Sequence, residues 1–412
     1  MGESVISKNG CAKITNIVQR FGGNKLDKVR IGIIGVGNMG SSHAIYLAGG
    51  QVPNAELTAI CDTNPSRLEW AKSKFGDKVA LFADAQALFA SGLVDGVILA
   101  IPHYFHSPLA IAAFAAGLHV LTEKPAGVYT RQVREMNEAA QASGKVFGIM
   151  FNQRTTPIYQ KLRDLVQTGE LGDIKRTNWI VTNWYRPQSY YDSGGWRATW
   201  AGEGGGVLVN QDPHQLDLWQ WICGMPQRVR AFCSFGKYHN IEVEDDVTAY
   251  VEYANGATGV FVTSTGDAPG TNRFEISADR GKVVVEDGKL TFWRLRVPER
   301  QFNAGCTRGF GEPECWKCEV PTGARTTTPH RDITVNWVNA ILNGTPLLAP
   351  GIEGINGVQL ANAMHLSAWT DNWVAIPVDE SAYLEQLQER IRNSSSKKDA
   401  GVSRTLDVKG TY

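Results

Sequence analysis

The sequence predicts an α/β chain in two parts. A doubly wound parallel sheet comes first, then an α+β part built on a large, open-faced, mostly antiparallel sheet. Three observations carry this. From Val29 to Phe151 short apolar runs alternate with helical patterns, as in successive βαβ units. The first run is closed by Gly35-Val36-Gly37-Asn38-Met39-Gly40 and followed at once by a helix. Beyond Phe151 the runs lengthen, alternate apolar with polar, and are joined by the hairpin signals Asn255-Gly256 and Asp287-Gly288.

Val29 to Ile34 is too short for a buried helix, rich in β-branched residues and stopped by glycine, so it reads as a buried parallel strand. A dinucleotide pyrophosphate requires this order of strand, glycines and helix. Gly35 permits the tight turn, Gly37 lets backbone approach phosphate, and Gly40 lets the helix pack on the strand, with Asn38 and Met39 between them. A second apolar run, Leu57 to Cys61, ends in Asp62, which lies roughly 20 residues past the glycines as a Rossmann fingerprint asks. A carboxylate there accepts from a ribose 2′-hydroxyl and repels a 2′-phosphate, so the expected cofactor is NAD, with Arg67 the neighbouring cation.

The pattern continues with a helix from Pro65 to Phe75 and a short third strand, Val79 to Phe82. Asp84 caps the helix after it. Val94 to Ile101 is the fourth strand, followed by a helix from His106 to Ala116, and His119 to Thr122 is the fifth. A helix from Thr130 to Ser143 leads to a sixth strand, Val146 to Met150. Ligands bind beyond the carboxyl ends of such strands, so Asp62, Pro102, His103 or His106, Glu123, Lys124 and Asn152 are expected around one crevice.

After a helix from Pro157 to Thr168, seven alternating segments between Lys175 and Leu295 read as strands. Helices near His330 to Asn343, Glu353 to Asp371 and Glu380 to Arg392 close the chain, and they are candidates to pack back on the first domain. The expected organisation is a polar leader over 1–28, a nucleotide-binding domain over 29–151, a substrate and oligomerisation domain over 152–392, and a polar tail or arm over 393–412. The open sheet face is expected to bury itself against another subunit in a homo-oligomer, a dimer, a tetramer or something larger.

Charge and composition remove several classes. Lys plus Arg and Asp plus Glu are 41 each, so no global field draws the chain to nucleic acid or a membrane. No apolar run approaches the roughly 18 residues of a membrane span, and the amino terminus lacks an export signal, so a cytoplasmic protein is expected. Seven cysteines fit a reduced compartment better than a disulfide framework. Cys306, Cys315 and Cys318 with His330 lack the tight pairing of zinc spacings, so no metal is expected. Cys61, Cys223 and Cys233 read as core residues, and Glu242, Glu244, Asp245 and Asp246 as a solvated strand end.

Two stretches carry chemistry. Lys124, in Thr-Glu-Lys-Pro at the end of a buried strand, points at the crevice. In a partly desolvated site its pKa should fall, which suits a proton shuttle, although a surface lysine paired with Glu123 is the plain alternative. The second stretch runs from Gly204 to Asp217. A helix starting near Pro213 would place Asn210, His214 and Asp217 on one face, with Asp217 orienting the imidazole or its helix.

The glycine fingerprint, Glu123-Lys124-Pro125 and the Gly-Gly…His-x-x-Asp segment, in this order and before an antiparallel sheet, resemble the Gfo/Idh/MocA family. The likeness covers about Val29 to Arg392. It implies hydride transfer between nicotinamide and a sugar or polyol hydroxyl carbon, with Lys124 and His214 matching the family's active-site pair. Asn210 and Asp212 stand where many members have Asp and Gly. A neutral Asn210 cannot tune Lys124 as a carboxylate would, which leaves open whether Lys124 or His214 is the base.

The segment from Trp184 to Trp200 is dense in aromatics and arginine, suited to stacking on sugar C–H faces and bonding hydroxyls. It resembles the branch acting on glucosides and anhydrosugars, which implies oxidation at C3. Arg154, Tyr185, Trp196, Arg197, Asp212 and His214 are the expected carbohydrate contacts. Two rivals to a net dehydrogenase stand beside it: redox-neutral, NAD-dependent glycoside cleavage through a transiently oxidised sugar, and a non-catalytic sugar or nucleotide sensor.

Overall fold

The structure is a computed structural model and describes residues 27–323 and 328–394. Most of the expected leader and nearly all of the expected tail lie outside these residues. The first sheet is six-stranded and wholly parallel, in the order β3-β2-β1-β4-β5-β6. Its strands are β1 (Val29–Ile34), β2 (Ala55–Cys61), β3 (Ala80–Phe82), β4 (Gly96–Leu99), β5 (His119–Thr122) and β6 (Phe147–Ile149), linked by α1 (Asn38–Ala48), α2 (Pro65–Phe75), α3 (Ala85–Ala90), α4 (His106–Ala115) and α5 (Thr130–Ser143). Every residue of β4 is buried, because helices cover both faces of a parallel sheet. Asp84 caps α3 by accepting from Ala87 N at 2.8 Å. The strand order reverses between β1 and β4, which opens the crevice at their carboxyl ends.

The rest of the chain contributes α6 (Pro157–Gln167), β7 (Ile174–Val181), α7 (Gln188–Tyr191), α8 (Val207–Asn210), α9 (Pro213–Cys223), β8 (Arg228–Phe235), β9 (Glu244–Glu252), β10 (Thr258–Ser264), β11 (Asn272–Ala278), β12 (Gly281–Glu286) and β13 (Lys289–Leu295). It ends with α10 (Glu299–Gly305), β14 (Cys315–Val320), α11 (Pro329–Asn343), α12 (Gly354–Thr370), β15 (Val374–Ala375) and α13 (Glu380–Arg392). The second sheet has nine strands rather than seven, in the order β14-β13-β12-β11-β7-β10-β9-β8-β15. The two extra strands are its edges; β15 is two residues long and carries no period to read. All pairings are antiparallel except β7 with β10. Three helices and the β8–β9 pair separate those two in sequence, so the return is a crossover rather than a turn. The β12–β13 turn places Asp287 and Gly288 at φ 48° and 72°, the left-handed pair that a tight hairpin demands.

One face of this sheet is dry. Trp179 stacks on Phe274 with centroids 4.2 Å apart, and Trp219 of α9 stacks on Phe261 at 5.3 Å. The other face presents Ile180, Phe232 and Tyr250 to solvent. Helix α11 returns to the first core through Ile333, Trp337 and Val338.

The acidic cluster opening β9 is not a solvated end: Glu244 and Asp245 are fully buried. Glu244 Oε1 accepts from Gly206 N (2.8 Å) and Leu208 N (3.1 Å), which satisfies donors at the start of α8. Asp245 accepts from the backbone N–H groups of Lys237, Tyr238 and His239. Alternation on a strand cannot reveal a carboxylate that leaves the ladder to serve a loop. Of the cysteines, Cys61 is buried, while Cys315 and Cys318 lie exposed on edge strand β14 and His330 packs beside His43. Among the described residues no helix is long and apolar enough to cross a membrane.

Candidate active site

The site begins at the turn after β1. Gly35 has φ 85°, and a Cβ on it would lie 2.5 Å from Ala100 O, while a Cβ on Gly40 would lie 1.8 Å from Gly35 O. Helix α1 therefore sits directly on the turn, as only glycine permits. Gly37 is its N-cap, with no side-chain cap and no acidic residue in the first turn, so backbone N–H groups there face outward. Asp62 closes the other wall. Its Oδ2 accepts from Val36 N at 2.8 Å and its Oδ1 from Asn64 N at 2.9 Å, which fixes a carboxylate beside the glycine turn. Arg67 lies in the first turn of α2.

The ends of β4, β5 and β6 bring the next groups. Lys124 Nζ donates to Asn210 O at 2.9 Å. Burial lowers the Lys124 pKa, against the opposing charges of Glu123 and Glu203. The surface-lysine alternative is excluded, since Glu123 has another partner: its Oε1 meets His43 Nε2 at 2.7 Å. Burial would raise that carboxyl, but the His43 hydrogen bond outweighs it and holds the group at about 2. His43 in turn meets the Tyr46 hydroxyl, which lies 2.8 Å from Thr334 Oγ1. Asn152 Nδ2 contacts the His330 ring at 3.2 Å, and its Oδ1 has no partner.

Both imidazoles after β4 are engaged. His106 Nδ1 lies 2.6 Å from Pro125 O and Nε2 lies 2.8 Å from Ile101 O, so this side chain, expected at the cofactor, braces the turn carrying Lys124. His103 Nδ1 lies 3.1 Å from Glu203 O, and Pro102 precedes it.

Asn210 and His214 meet the crevice from two helices rather than one. Asn210 ends α8, Gln211 and Asp212 interrupt, and α9 starts at Pro213. Helix α9 is buried on nearly every side rather than amphipathic. Neither nitrogen of the buried His214 ring has a hydrogen-bond partner. Burial, with Lys124 nearby, holds its pKa well below the usual value, so the imidazole is neutral at physiological pH.

Asp217 does not orient this ring. It forms a fork with Arg154, Nη2–Oδ1 2.6 Å and Nε–Oδ2 2.8 Å. Arg154, expected at the substrate, is 1% exposed and also bonds Glu353 and Leu348 O. It stands behind the site, tying α9 to the turn that follows β6.

Asp212 is fully buried, and burial pushes its pKa well above the carboxylate range. Its oxygens lie near the Trp184 indole and the Thr263 hydroxyl, but without hydrogen-bond geometry to either. The Thr263 hydroxyl donates instead to Val181 O at 3.0 Å.

The loop before α8 forms the last wall. Arg197 lies over the Tyr190 ring (4.6 Å) and the Trp196 ring (4.8 Å), and its Nη1 donates to Tyr190 OH at 2.9 Å. Trp196 meets His103 edge-on at 5.8 Å, whereas Tyr185 is half exposed. Sequence reasoning missed Glu203 as a site residue and placed Tyr190 only within the aromatic segment, not among the expected contacts. The Tyr190 hydroxyl accepts from Asn210 Nδ2 at 3.0 Å, and the buried Glu203 carboxylate accepts from the same amide at 2.5 Å. The only signal was Glu203 lying beside the glycine run.

Comparison with known proteins decides the family. The model of the oxidoreductase family with NAD-binding Rossmann fold matches residues 29–151, and that of the GFO/IDH/MocA C-terminal domain matches residues 159–284. The chain belongs to the Gfo/Idh/MocA family. A D-glucoside 3-dehydrogenase of Escherichia coli is 30% identical over 246 residues, 55% of this chain and 68% of that protein. A levoglucosan dehydrogenase of Pseudarthrobacter phenanthrenivorans is 25% identical over 395 residues, 85% of this chain and 99% of its own. Among solved structures, the WlbA dehydrogenase of Chromobacterium violaceum, in complex with NADH and UDP-GlcNAcA, aligns with TM-score 0.73 at 29% identity. That alignment covers 86% of this chain and 97% of the other.

As a Gfo/Idh/MocA member the chain is an NAD-dependent oxidoreductase. Its own residues fit the dinucleotide. A Cβ at Gly35 or Gly40 would clash, Gly37 leaves open space, and a carboxylate at Asp62 suits a ribose hydroxyl better than a phosphate.

Proposed function

We propose that this protein oxidises a secondary hydroxyl of a sugar or glycoside, C3 of a glucoside being the leading candidate. One observation carries the reading. Lys124 lies near the unpartnered ring of His214 and near Arg186, whose Nε is unpartnered, and the unpartnered carboxyl of Asp212 lies near Arg186 and the unpartnered Trp184 indole N–H, all of these atoms buried. Buried polar atoms without partners are costly, and a polyhydroxyl ligand supplies donors and acceptors to all of them together. The Tyr190, Trp196 and Arg197 wall adds flat faces for sugar C–H surfaces.

In this reading Asp62 and the glycine turn hold the dinucleotide, whose nicotinamide supplies a hydride-accepting carbon. His214, neutral and with both nitrogens unengaged, takes the hydroxyl proton as the C–H hydride departs, which leaves a ketone. Lys124, held by Asn210 O, donates to the oxygen that develops charge. The similarity to a D-glucoside 3-dehydrogenase and a levoglucosan dehydrogenase supports this choice of substrate class. We also read the open sheet face as a homo-oligomer contact and, from the free cysteines among the described residues, the cytoplasm as the compartment.

The test is absorbance at the NADH band during incubation with NAD+ and a panel of glucosides. Net NADH formation, lost in Lys124→Ala and in His214→Ala, supports the reading. Aglycone release without NADH would assign redox-neutral cleavage instead. Ligand binding with no turnover, unchanged in both variants, would make the protein a sensor.

A further inference from the structure

Asn210, which accepts from Lys124, carries no charge of its own, yet a buried carboxylate stands against its side chain. We propose that Glu203 is the positioning residue for Lys124, supplying through Asn210 the negative charge that sets the lysine's protonation state. This deepens the function proposed above and rests on it.

The connection is short and part-buried, with its carboxylate end the most enclosed. Glu203 is 1% exposed. Its Oε2 accepts from Ala198 N at 2.6 Å, and its Oε1 accepts from Asn210 Nδ2 at 2.5 Å. The same Asn210 accepts from Lys124 Nζ with its main-chain oxygen at 2.9 Å, so one residue touches both charges. The far end of Glu203 is also fixed, because its carbonyl oxygen meets His103 Nδ1 at 3.1 Å on the nucleotide-binding side. The cation nearest the carboxylate, Arg197, stands 3.9 Å away and points its Nη1 at the Tyr190 hydroxyl. No fork-to-fork pair neutralises Glu203, in contrast with Asp217.

A buried carboxylate left this loosely paired costs stability, and a residue needed only as a hydrogen-bond acceptor need not carry charge. Burial raises the Glu203 carboxyl to about 7, and burial lowers Lys124, so the two groups titrate toward one another. The other charged or titratable groups around the pair are Glu123, Tyr190, Tyr191, Arg186, Arg197, His103, His106, His214 and Glu244. None of the carboxylates among them bonds to Asn210.

The experiment compares the pH dependence of kcat in the parent, Glu203→Gln and Glu203→Gln/Asn210→Asp, with Lys124→Ala measured in parallel. Removing the negative charge weakens proton binding at Lys124. The limb of the profile that Lys124 governs therefore moves to lower pH by about one unit, a tenfold change, while KM for NAD+ stays put. The double variant, which returns a carboxylate one residue nearer, moves the limb back. A Glu203→Gln profile that overlays the parent overturns the proposal. Full activity in Lys124→Ala overturns the underlying function instead, so the two failures are distinguishable. If Glu203→Gln does not fold, the parent still answers by infrared difference spectroscopy across its pH range. A buried carboxylic acid band titrating near neutrality, and displaced in Lys124→Ala, supports the proposal. A band indifferent to Lys124→Ala overturns it.

Discussion

Arg154 and Asp217 meet as a closed fork, 2.6 and 2.8 Å across its two arms, with each side chain 1% exposed. The pair joins the turn after β6 to the helix that carries His214, so it fixes the distance between the two halves of the site. Asp217→Asn leaves a buried guanidinium facing a neutral amide, and breaking such a pair costs about 3–5 kcal/mol. The expected result in urea unfolding is a midpoint lowered accordingly. kcat should fall too, because His214 loses its registration against Lys124. A change under about 1 kcal/mol would mean that Glu353 alone holds Arg154.

Two glycines of the first turn separate folding from binding. A Cβ on Gly37 meets nothing within 4 Å, whereas one on Gly40 lies 1.8 Å from Gly35 O. Gly37→Ala should therefore keep its melting temperature and lose NAD+ affinity by tenfold or more, about 1.4 kcal/mol, since the methyl stands where backbone approaches phosphate. Gly40→Ala should lose both, because α1 must lift off the strand. Isothermal titration beside thermal melting tells the two apart. Equal melting temperatures for both variants would refute the packing argument.

The buried imidazoles give stability a pH dependence of definite sign. Burial lowers the pKa of His103, His106 and His214, and takes that of His119 to about 4. The folded chain keeps these rings neutral while the unfolded chain protonates them below about 6.5, so their contribution is present above that pH and lost as pH falls. Each ring contributes a slope of up to about 1.4 kcal/mol per pH unit. Glu203, raised to about 7, acts the other way: its contribution is present at acid pH and fades as pH rises through about 7. Asp212 and Asp217, whose carboxyls burial also raises, act in the same sense as Glu203. Four rings against three carboxyls leave about one ring's slope, so the unfolding free energy should fall by no more than about 1.4 kcal/mol per pH unit below about pH 6.5. Chemical denaturation at a series of pH values checks this, and a flat profile would contradict it.

What could be read from sequence followed from periodicity and spacing. The strand before Gly35, the Asp84 cap, the Asp287-Gly288 turn and the paired positions of Lys124 and His214 all have local signatures. The misreadings share a different cause. Glu203, Glu244 and Asp217 are carboxylates whose partners lie in other elements: Asn210 on α8, the N–H groups of Gly206 and Leu208, and Arg154 after β6. A buried carboxylate carries the same letter as a solvated one, and only the fold shows which N–H it serves. Asn210 and His214 lie four apart, as one helix face would require, yet Gln211 and Asp212 break the helix between them.

The open face of the second sheet yields the last expectation. Phe232 is 61% exposed on β8 and lies across from Thr248, two pairs along from Tyr250, which is itself 37% exposed and touches Trp373 edge-on at 5.8 Å. Ile180 of β7 continues the row on the same face through its pairing with Val262. A run of large apolar side chains across adjacent strands is costly to leave in water, and burying one such residue contributes about 1.5–3 kcal/mol. Replacing Phe232 by Glu places a charge at the centre of that row without touching the dry face, where Ala231 and Val229 pack. Light scattering after size exclusion should give the parent the mass of an oligomer and the variant a mass nearer the monomer, with secondary structure and NAD+ affinity unchanged. An assembly of unaltered mass would move the contact off this face.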